Sequence, residues 1–244
     1  MQGWYALYIR EMLIFKKRLC RLGYVLSVMI TPIIYLLTFG LGLGRGMGYG
    51  GYIDFLLPGL IMMSGMTNSY TWVCNSINVG RLVNKNFQMH IMSPVTAKAM
   101  SFAYILSGIT RGLFGILLIL FAGISFVDKT IISAPFIIAI ILNLILFSAL
   151  GTVVGICVKS HEDVSTWNNF IITPMAFFSG TFFSIEHYPY LIKAVICLLP
   201  LTHVNLLARE DVWSDQALIS LCVLAVYCAA LIFMAGRLIK NYSE

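Results

Sequence analysis

Six long apolar segments constrain this chain more than any other feature: about 22–43, 53–78, 99–126, 131–158, 164–183 and 216–236. Roughly 20 mostly apolar residues are needed for a helix to cross the hydrocarbon core of a bilayer. In lipid the backbone must satisfy its own hydrogen bonds, so such segments are helical. The predicted fold is an all-α polytopic membrane protein with six transmembrane helices in a single transmembrane domain, 1–244. The composition agrees, since 11% of the 244 residues are charged against about 25% in soluble domains. The cysteines Cys20, Cys74, Cys157, Cys197, Cys222 and Cys228 fall mostly inside apolar runs. That spread predicts small buried hydrophobes and no disulfide framework. A cleavable signal peptide is not expected, because Arg10 and Glu11 interrupt the first apolar stretch and its basic cluster follows it.

Two further pieces are too short to span. Residues 190–199 lie between Pro189 and Pro200, which suits a re-entrant or interfacial helix. In 3–19, Trp4, Tyr8, Met12, Phe15 and Leu19 recur at spacings of three and four, with Lys16, Lys17, Arg18 and Arg21 behind them. This predicts an N-terminal amphipathic interface helix with its aromatics at headgroup level. Six spans with the N-terminus inside place Arg10, Lys16, Lys17, Arg18, Arg21, Arg81, Lys85, Lys98, Lys159, Arg237 and Lys240 on the inner face. Arg45, Lys129, Lys193 and Arg209 fall outside, and Arg111 is left in the membrane. Eleven against four puts both termini in the cytoplasm. No connection accommodates a nucleotide-hydrolysing domain, and the sequence has no Gly-Lys dipeptide for a phosphate-binding loop. Any ATP used must be bound by another chain. Membrane lipids are the expected surroundings, and no nucleic-acid partner is expected.

Gly46, Gly48 and Gly51 satisfy G-x-G-x-x-G, but between two spans they predict a flexible outer turn and no dinucleotide site. Gly108 with Gly112, and Gly151 with Gly155, have G-x-x-x-G spacing, which serves either a dimer face or packing within one protomer. Arg111 lies near mid-membrane, where a bare charge costs about 2.5–3.5 kcal/mol. With no Asp or Glu deep in any span, it must face water, an anionic group or neighbouring carbonyls, unless it snorkels toward the cytoplasm. Span two carries Asn68, Ser69, Thr71 and Asn75 beside Tyr70 and Trp72; span five carries Thr166, Asn168, Asn169 and Thr173 with Trp167 and Phe170. Such mixtures either line a path for an amphipathic solute or glue helices together. No metal-ligand spacing and no acid–base pair at depth is present. No catalytic, cofactor-binding or metal-binding residue is therefore expected in this chain. A small secondary transporter or channel working without an ATPase fits these features too. An intramembrane enzyme would have to rely on His187 or His203.

The stretch "GRLVNKNFQMHIMSPVTAK" (80–98) is polar between two apolar blocks. Val83, Phe87 and Ile91 repeat every fourth residue with Leu82 and His90 on the same side, while Arg81, Asn84, Lys85 and Gln88 take the other. The pattern predicts a short amphipathic helix over 81–92. Pro94 pushes Ser93 out of the α region and ends it, and Thr96 caps the next span. Such a helix is either gripped by a partner or rests among headgroups.

Three stretches carry a resemblance: "FLLPGLIMMSGMTNSY" (55–70), "MHIMSPVTAKAMSFAYILSGITRGLF" (89–114) and "FFSGTFFSIEHYPYLIKAVICLLPLTHVNLLAR" (177–209). In order along the chain, they resemble the membrane subunit of type-2 ABC exporters, and among these the short permeases related to nodulation-factor and daunorubicin exporters. The resemblance implies a homodimer bound to two copies of a separate ATPase subunit, which holds ATP and Mg. It implies that 81–92 is a cytoplasmic coupling helix, with Val83, Lys85, Phe87, His90, Ile91, Ser93 and Pro94 engaging the ATPase. The translocation path is then expected to involve Arg111, Asn68, Tyr70, Trp72, Trp167, Asn168 and Phe170. The segment 185–209 would form outer re-entrant helices between spans five and six, a gate that includes Pro189, Pro200 and His203. Glu162 and Asp163 would lie at the cytoplasmic end of spans four and five. The implied activity is ATP-driven export of an amphipathic substrate (a lipid-linked glycan, glycolipid or drug) across a bacterial inner membrane. The small outer loop between spans one and two leaves no room for an external substrate-capturing domain.

Overall fold

A computed structural model describes residues 3–42, 49–123, 132–185 and 188–242, and within these every regular element is helical. Arg45, Gly46, Gly48, Lys129 and His187 lie outside the described residues. The order is α1 (Gly3–Leu19), α2 (Leu22–Tyr35, running on through a π-helical Leu36–Leu41), α3 (Tyr49–Asn78, then a π-helical Val79–Val83), α4 (Phe87–Met92) and α5 (Ala97–Gly123). There follow α6 (Ala134–Cys157), α7 (His161–Trp167), a π-helical Asn168–Ile172, α8 (Thr173–Phe178), α9 (Tyr190–Ile196), α10 (Pro200–Ala208) and α11 (Asp215–Lys240).

Local chemistry sets several boundaries. Ser133 accepts from the Phe136 amide to start α6, and Ser214 from the Ala217 amide to start α11, each satisfying one free N–H of a first turn. At α7 a reciprocal capping box joins Ser160 and Asp163. The chain leaves α8 through Gly180, whose φ of 74° suits glycine. A Cβ there would also sit 2.9 Å from Ile185 Cγ2. This turn ends the fifth helical stretch at Phe178, short of the expected 183.

Among the described residues, four helices are long and apolar enough to cross a membrane: Leu22–Gly40, Ala97–Gly123, Ala134–Cys157 and Asp215–Lys240. The α9–α10 pair, bent by 92°, makes a fifth broken crossing or a re-entrant loop. With its 30 residues α3 is longer than any of them, about 45 Å at the helical rise, but Ser64, Thr67, Asn68, Ser69, Thr71, Asn75 and Ser76 make it less apolar. It is nevertheless the buried centre, packed between α5 and α6. Leu56, Leu57, Leu60, Ile61, Met62, Met66, Val73, Cys74 and Ile77 are all fully buried.

Glycines let these three helices meet. A Cβ on Gly108 would lie 2.4 Å from Ser148 Oγ, and one on Gly112 2.3 Å from Leu144 Cδ2. Gly151 and Gly155 of α6 lie against the backbone of α3, at the Tyr70 and Cys74 carbonyls. Both glycine pairs are therefore used for packing within one protomer, where lipid supplies no hydrophobic drive for helix association. Asn143 adds a buried hydrogen bond from α6 to the Met62 carbonyl, 2.9 Å.

Three sequence expectations change. The predicted continuous helix 81–92 is broken at Lys85, which adopts φ 51°. The stretch up to Val83 continues α3, and only Phe87–Met92 forms α4. Val83 consequently leaves the face shared with Phe87 and is 65% exposed. The apolar face of α1, expected in headgroups, packs instead on α5. Trp4 meets Phe102 edge-on at 5.3 Å, and Tyr8 hydrogen-bonds Thr110 at 3.0 Å. Only Cys74 and Cys228 of the six cysteines are buried, while Cys20, Cys157 and Cys222 face outward, as small apolar side chains can in lipid.

The packing makes a direct prediction. A Cβ on Gly151 would lie 2.6 Å from the Tyr70 carbonyl oxygen, a backbone atom that cannot rotate away. Gly151→Val should destabilise the fold by about 1–3 kcal/mol. Gly236→Ala, with open space around it, should leave stability unchanged or raise it. Thermal unfolding of the detergent-purified variants checks both.

Candidate functional site

The turn around α4 is anchored from several sides. Phe87 is fully buried, edge-on to Tyr242 at 5.3 Å and beside Tyr104 at 6.3 Å. Just before it, Arg81 donates to the carbonyls of Gly155, Ile156 and Val158, and to the Tyr242 hydroxyl at 2.9 Å. These carbonyls end α6 and have no partner within the helix, and a cation is favoured at that pole of the helix dipole. Asn78 accepts from His161 Nδ1 and donates to the Ser160 carbonyl, which ties α7 in as well. Ser93 turns extended, with ψ 157°, before Pro94, and its hydroxyl caps the His90 carbonyl at 2.6 Å. Thr96 accepts from the Ala99 amide. Ile91 is half-buried and Pro94 exposed. Met89 and Met92 point outward, 68% and 86% exposed, and Val83 is exposed as well. Sequence periodicity did not single out these two methionines, although their three-residue spacing places them on one helical face.

At the middle of α5, Arg111 is 6% exposed. Its guanidinium carbon lies 4.0 Å from the Tyr24 ring centroid, 5.0 Å from that of Phe15 and 5.1 Å from that of Trp72. Each cation–π contact contributes about 0.5–2 kcal/mol, so three together match the cost of burying the charge. The rings come from α1, α2 and α3, a surrounding that composition and periodicity do not encode. Arg18 also stacks on Trp72, at 5.2 Å. Beside this cage lies a cavity of about 340 Å³, lined among others by Arg10, Glu11, Arg18, Asn68, Trp72, Asn75 and Arg111. A second, about 260 Å³, lies between α2 and α3 and shares Thr67, Asn68 and Arg111 with it. Glu11 is fully buried, accepting from Ser76 at 2.8 Å with Arg10 3.6 Å away. Burial raises its carboxyl above the ordinary range, against the hydrogen bond from Ser76 and the charges of Arg10 and Arg18.

The structure gathers Arg111, Asn68 and Trp72 around one space and leaves the other expected path residues elsewhere. Tyr70 is buried against α6. Trp167 and Phe170 are 39% and 78% exposed on the α7–α8 stretch, with Asn168 half-buried between them.

Ahead of α11, Pro189 precedes α9 and Pro200 opens α10. The bend between them is held by side chains. Thr202 donates to the Ile196 carbonyl at 2.7 Å, and His203 Nε2 to the Cys197 carbonyl at 2.9 Å. Tyr227 of α11 donates to the Leu198 carbonyl at 2.8 Å. His203 is thus occupied in closing a turn. At the end of α10, Arg209 stacks 3.7 Å over Phe55 and donates to the Phe55 and Thr181 carbonyls. Tyr52 donates to the Phe182 carbonyl at 3.0 Å. Arg209 latches the end of α10 to α3, and Tyr52 ties α3 to the turn after α8, roles the sequence did not signal.

The family model described as ABC-2 type transporter matches residues 2–210. The chain is similar to the inner membrane transport permease YadH of Escherichia coli K12, 31% identical over 178 residues covering 71% of this chain and 69% of that one. It is also similar to nodulation protein J of Rhizobium meliloti strain 1021, 26% identical over 254 residues, 98% and 93% of the two chains. Nodulation protein J of Rhizobium leguminosarum bv. viciae matches at 26% identity over 254 residues, 98% and 94% of the chains.

One contact in the α4 turn titrates. Arg10 Nη1 lies 2.9 Å from His90 Nε2; the guanidinium can only donate, so Nε2 accepts and the ring is neutral. Burial, then the Arg10 charge, lowers the His90 pKa. A depressed histidine pKa gives stability that is complete above its unfolded value, about 6.5, and is lost as pH falls through the folded one. Acidification through that range should therefore lower the unfolding temperature of the wild type relative to His90→Gln, with the two converging again above it.

Proposed function

The chain belongs to the ABC-2 type transporter family as its membrane-spanning, non-enzymatic transport subunit, and from this premise we propose that it exports an amphipathic substrate across a bacterial inner membrane, driven by ATP hydrolysed on a separate ATPase subunit. The observation that carries this reading is the α4 turn. It offers Val83, Met89 and Met92 outward while Phe87, Arg81 and His90 fix it to the bundle. Flexible, polarisable methionines suit a protein groove, and exposed apolar side chains on a rigid turn mark a docking surface. A push on this turn reaches α3 directly, α6 and Tyr242 through Arg81, and α1 through the Arg10–His90 contact.

Both termini lie on the cytoplasmic side in this reading, with the turn beside them. Two copies of the chain assemble with two ATPase subunits. The weakly buried α2, with Leu22, Leu26, Ile30, Ile34 and Leu37 exposed along it, and the outward aromatics Phe170, Phe177 and Phe178 supply apolar surface for the second copy or lipid. The bent α9–α10 pair closes the opposite end, and the substrate class is lipid-linked glycan, glycolipid or drug.

The test is co-expression with the P-loop ATPases of the same genome. Wild-type permease should capture one of them, and the reconstituted complex should couple ATP hydrolysis to export. Met89→Asp with Met92→Asp, both at exposed positions, should keep the fold and lose ATPase capture and export. Full ATP-driven export by the double variant would overturn the docking role, and export by the purified chain alone would overturn ATPase dependence.

A further inference from the structure

Around the Arg111 cage several buried donors lack an acceptor. Arg111 Nε and Nη1, Trp72 Nε1 and the Tyr24 hydroxyl are all buried without a hydrogen-bond partner. Rings stacked on a guanidinium stabilise its charge but supply no lone pairs for its N–H groups, and buried polar groups in native proteins are rarely left this way. The neighbouring polar side chains do not fill the need. Thr67 donates to the Met63 carbonyl, Asn68 to the Ser64 carbonyl and hydroxyl, and Asn75 to the Thr71 carbonyl, and none of them accepts from Arg111 Nε or Nη1, Trp72 Nε1 or the Tyr24 hydroxyl.

The charges point the same way. The larger cavity has three cations, Arg10, Arg18 and Arg111, against one acid, Glu11; one Glu11 oxygen accepts from Ser76, and the other lies 3.6 Å from Arg10 with no hydrogen-bond partner. What the site lacks is negative charge carried on oxygen. The smaller cavity continues past Arg111 between α2 and α3, lined by Tyr24, Ser27, Thr31 and Ser64. On α2 the apolar side chains of Leu26 and Ile30 are exposed, which gives a hydrocarbon tail a lipid-facing surface next to a polar slot.

We propose that the cavities flanking Arg111 bind an oxyanion group, phosphate or carboxylate, carried on an amphiphile that enters from the bilayer between α2 and α3. Arg111 takes the anionic oxygens in its plane, Trp72 Nε1 and the Tyr24 hydroxyl add donors, and Arg10 and Arg18 supply long-range attraction. The tail stays along α2. The proposal rests on the exporter reading only in taking this anion as cargo; the binding itself stands on the cavity.

The experiment uses the full chain, delipidated in neutral detergent and titrated without ATP or ATPase while bound ligand is counted by native mass spectrometry. The probes are dioleoyl phosphatidic acid, oleate, the matched diacylglycerol and inorganic phosphate. Phosphatidic acid and oleate should bind with saturation and diacylglycerol should not. Arg111→Gln should weaken phosphatidic acid binding about tenfold or more, the scale of a lost charge-assisted hydrogen bond, with its unfolding temperature checked alongside. Thr71→Leu, which narrows the larger cavity without touching the arginine, should weaken it as well and keeps the test open if Arg111→Gln does not fold. Equal binding of phosphatidic acid and diacylglycerol, or unchanged binding in either folded variant, overturns the site. Inorganic phosphate binding as tightly as the lipid overturns the amphiphile and assigns the cavity to a soluble anion. Since no nucleotide is present, a negative result removes this site and leaves the exporter reading standing. Failure to engage an ATPase leaves lipid binding intact.

Discussion

Close backbone contact against α3 is what the rest of the molecule depends on. Between helices in lipid there is little hydrophobic drive, so association comes from van der Waals packing and hydrogen bonds that only a short separation allows. Gly108 and Gly112 of α5 and Gly151 and Gly155 of α6 provide that separation on two sides of α3. A third side is left for Asn68, Thr71, Trp72, Asn75 and Ser76, and those residues meet α1 and α2 across the charged cavity. The division of one helix into glycine-facing and amide-facing sides thus creates both the core and the candidate binding space.

The two ends of α3 are handled differently. At one end the helix runs through a π-helical turn into the Lys85 break, and the following turn is fixed by a buried ring and by an arginine serving three carbonyls of another helix. Such a turn is tied to several elements at once: to α5 through Tyr104, to the end of α6 through Arg81, and to Tyr242 through both Phe87 and Arg81. At the other end, Arg209 bonds the Phe55 and Thr181 carbonyls and Tyr52 the Phe182 carbonyl. The Arg209 bonds add directional ties to α10, which also buries Leu201, Val204, Leu207 and Ala208 in the core.

Arginine performs three separate tasks here, and the surroundings decide which. Arg81 caps the end of a helix, Arg209 joins two segments through carbonyls, and Arg111 sits among three rings with donors unspent. Sequence position alone ranks Arg111 as the unusual one, because it is deep in an apolar run. The orphan donors then distinguish it from the two structural arginines.

The sequence by itself determined the helical class, the main apolar segments, the proline-bounded α9–α10 pair and the polar turn with its stop at Pro94. These follow from local rules: hydrocarbon thickness sets segment length, and proline restricts its own φ and the residue before it. The break at Lys85 was not legible, since an unbroken apolar repeat at Val83, Phe87 and Ile91 is the stronger local signal. After the break Phe87 is buried against Tyr104 and Tyr242, partners far away in the chain. Tertiary structure alone decided that α1 lies on protein, that both glycine pairs serve the protomer, and that Phe15, Tyr24 and Trp72 converge on Arg111. The reason is physical: a side chain's partners in a helical bundle are fixed by which helix faces meet, and that is set by packing among residues far apart in the chain.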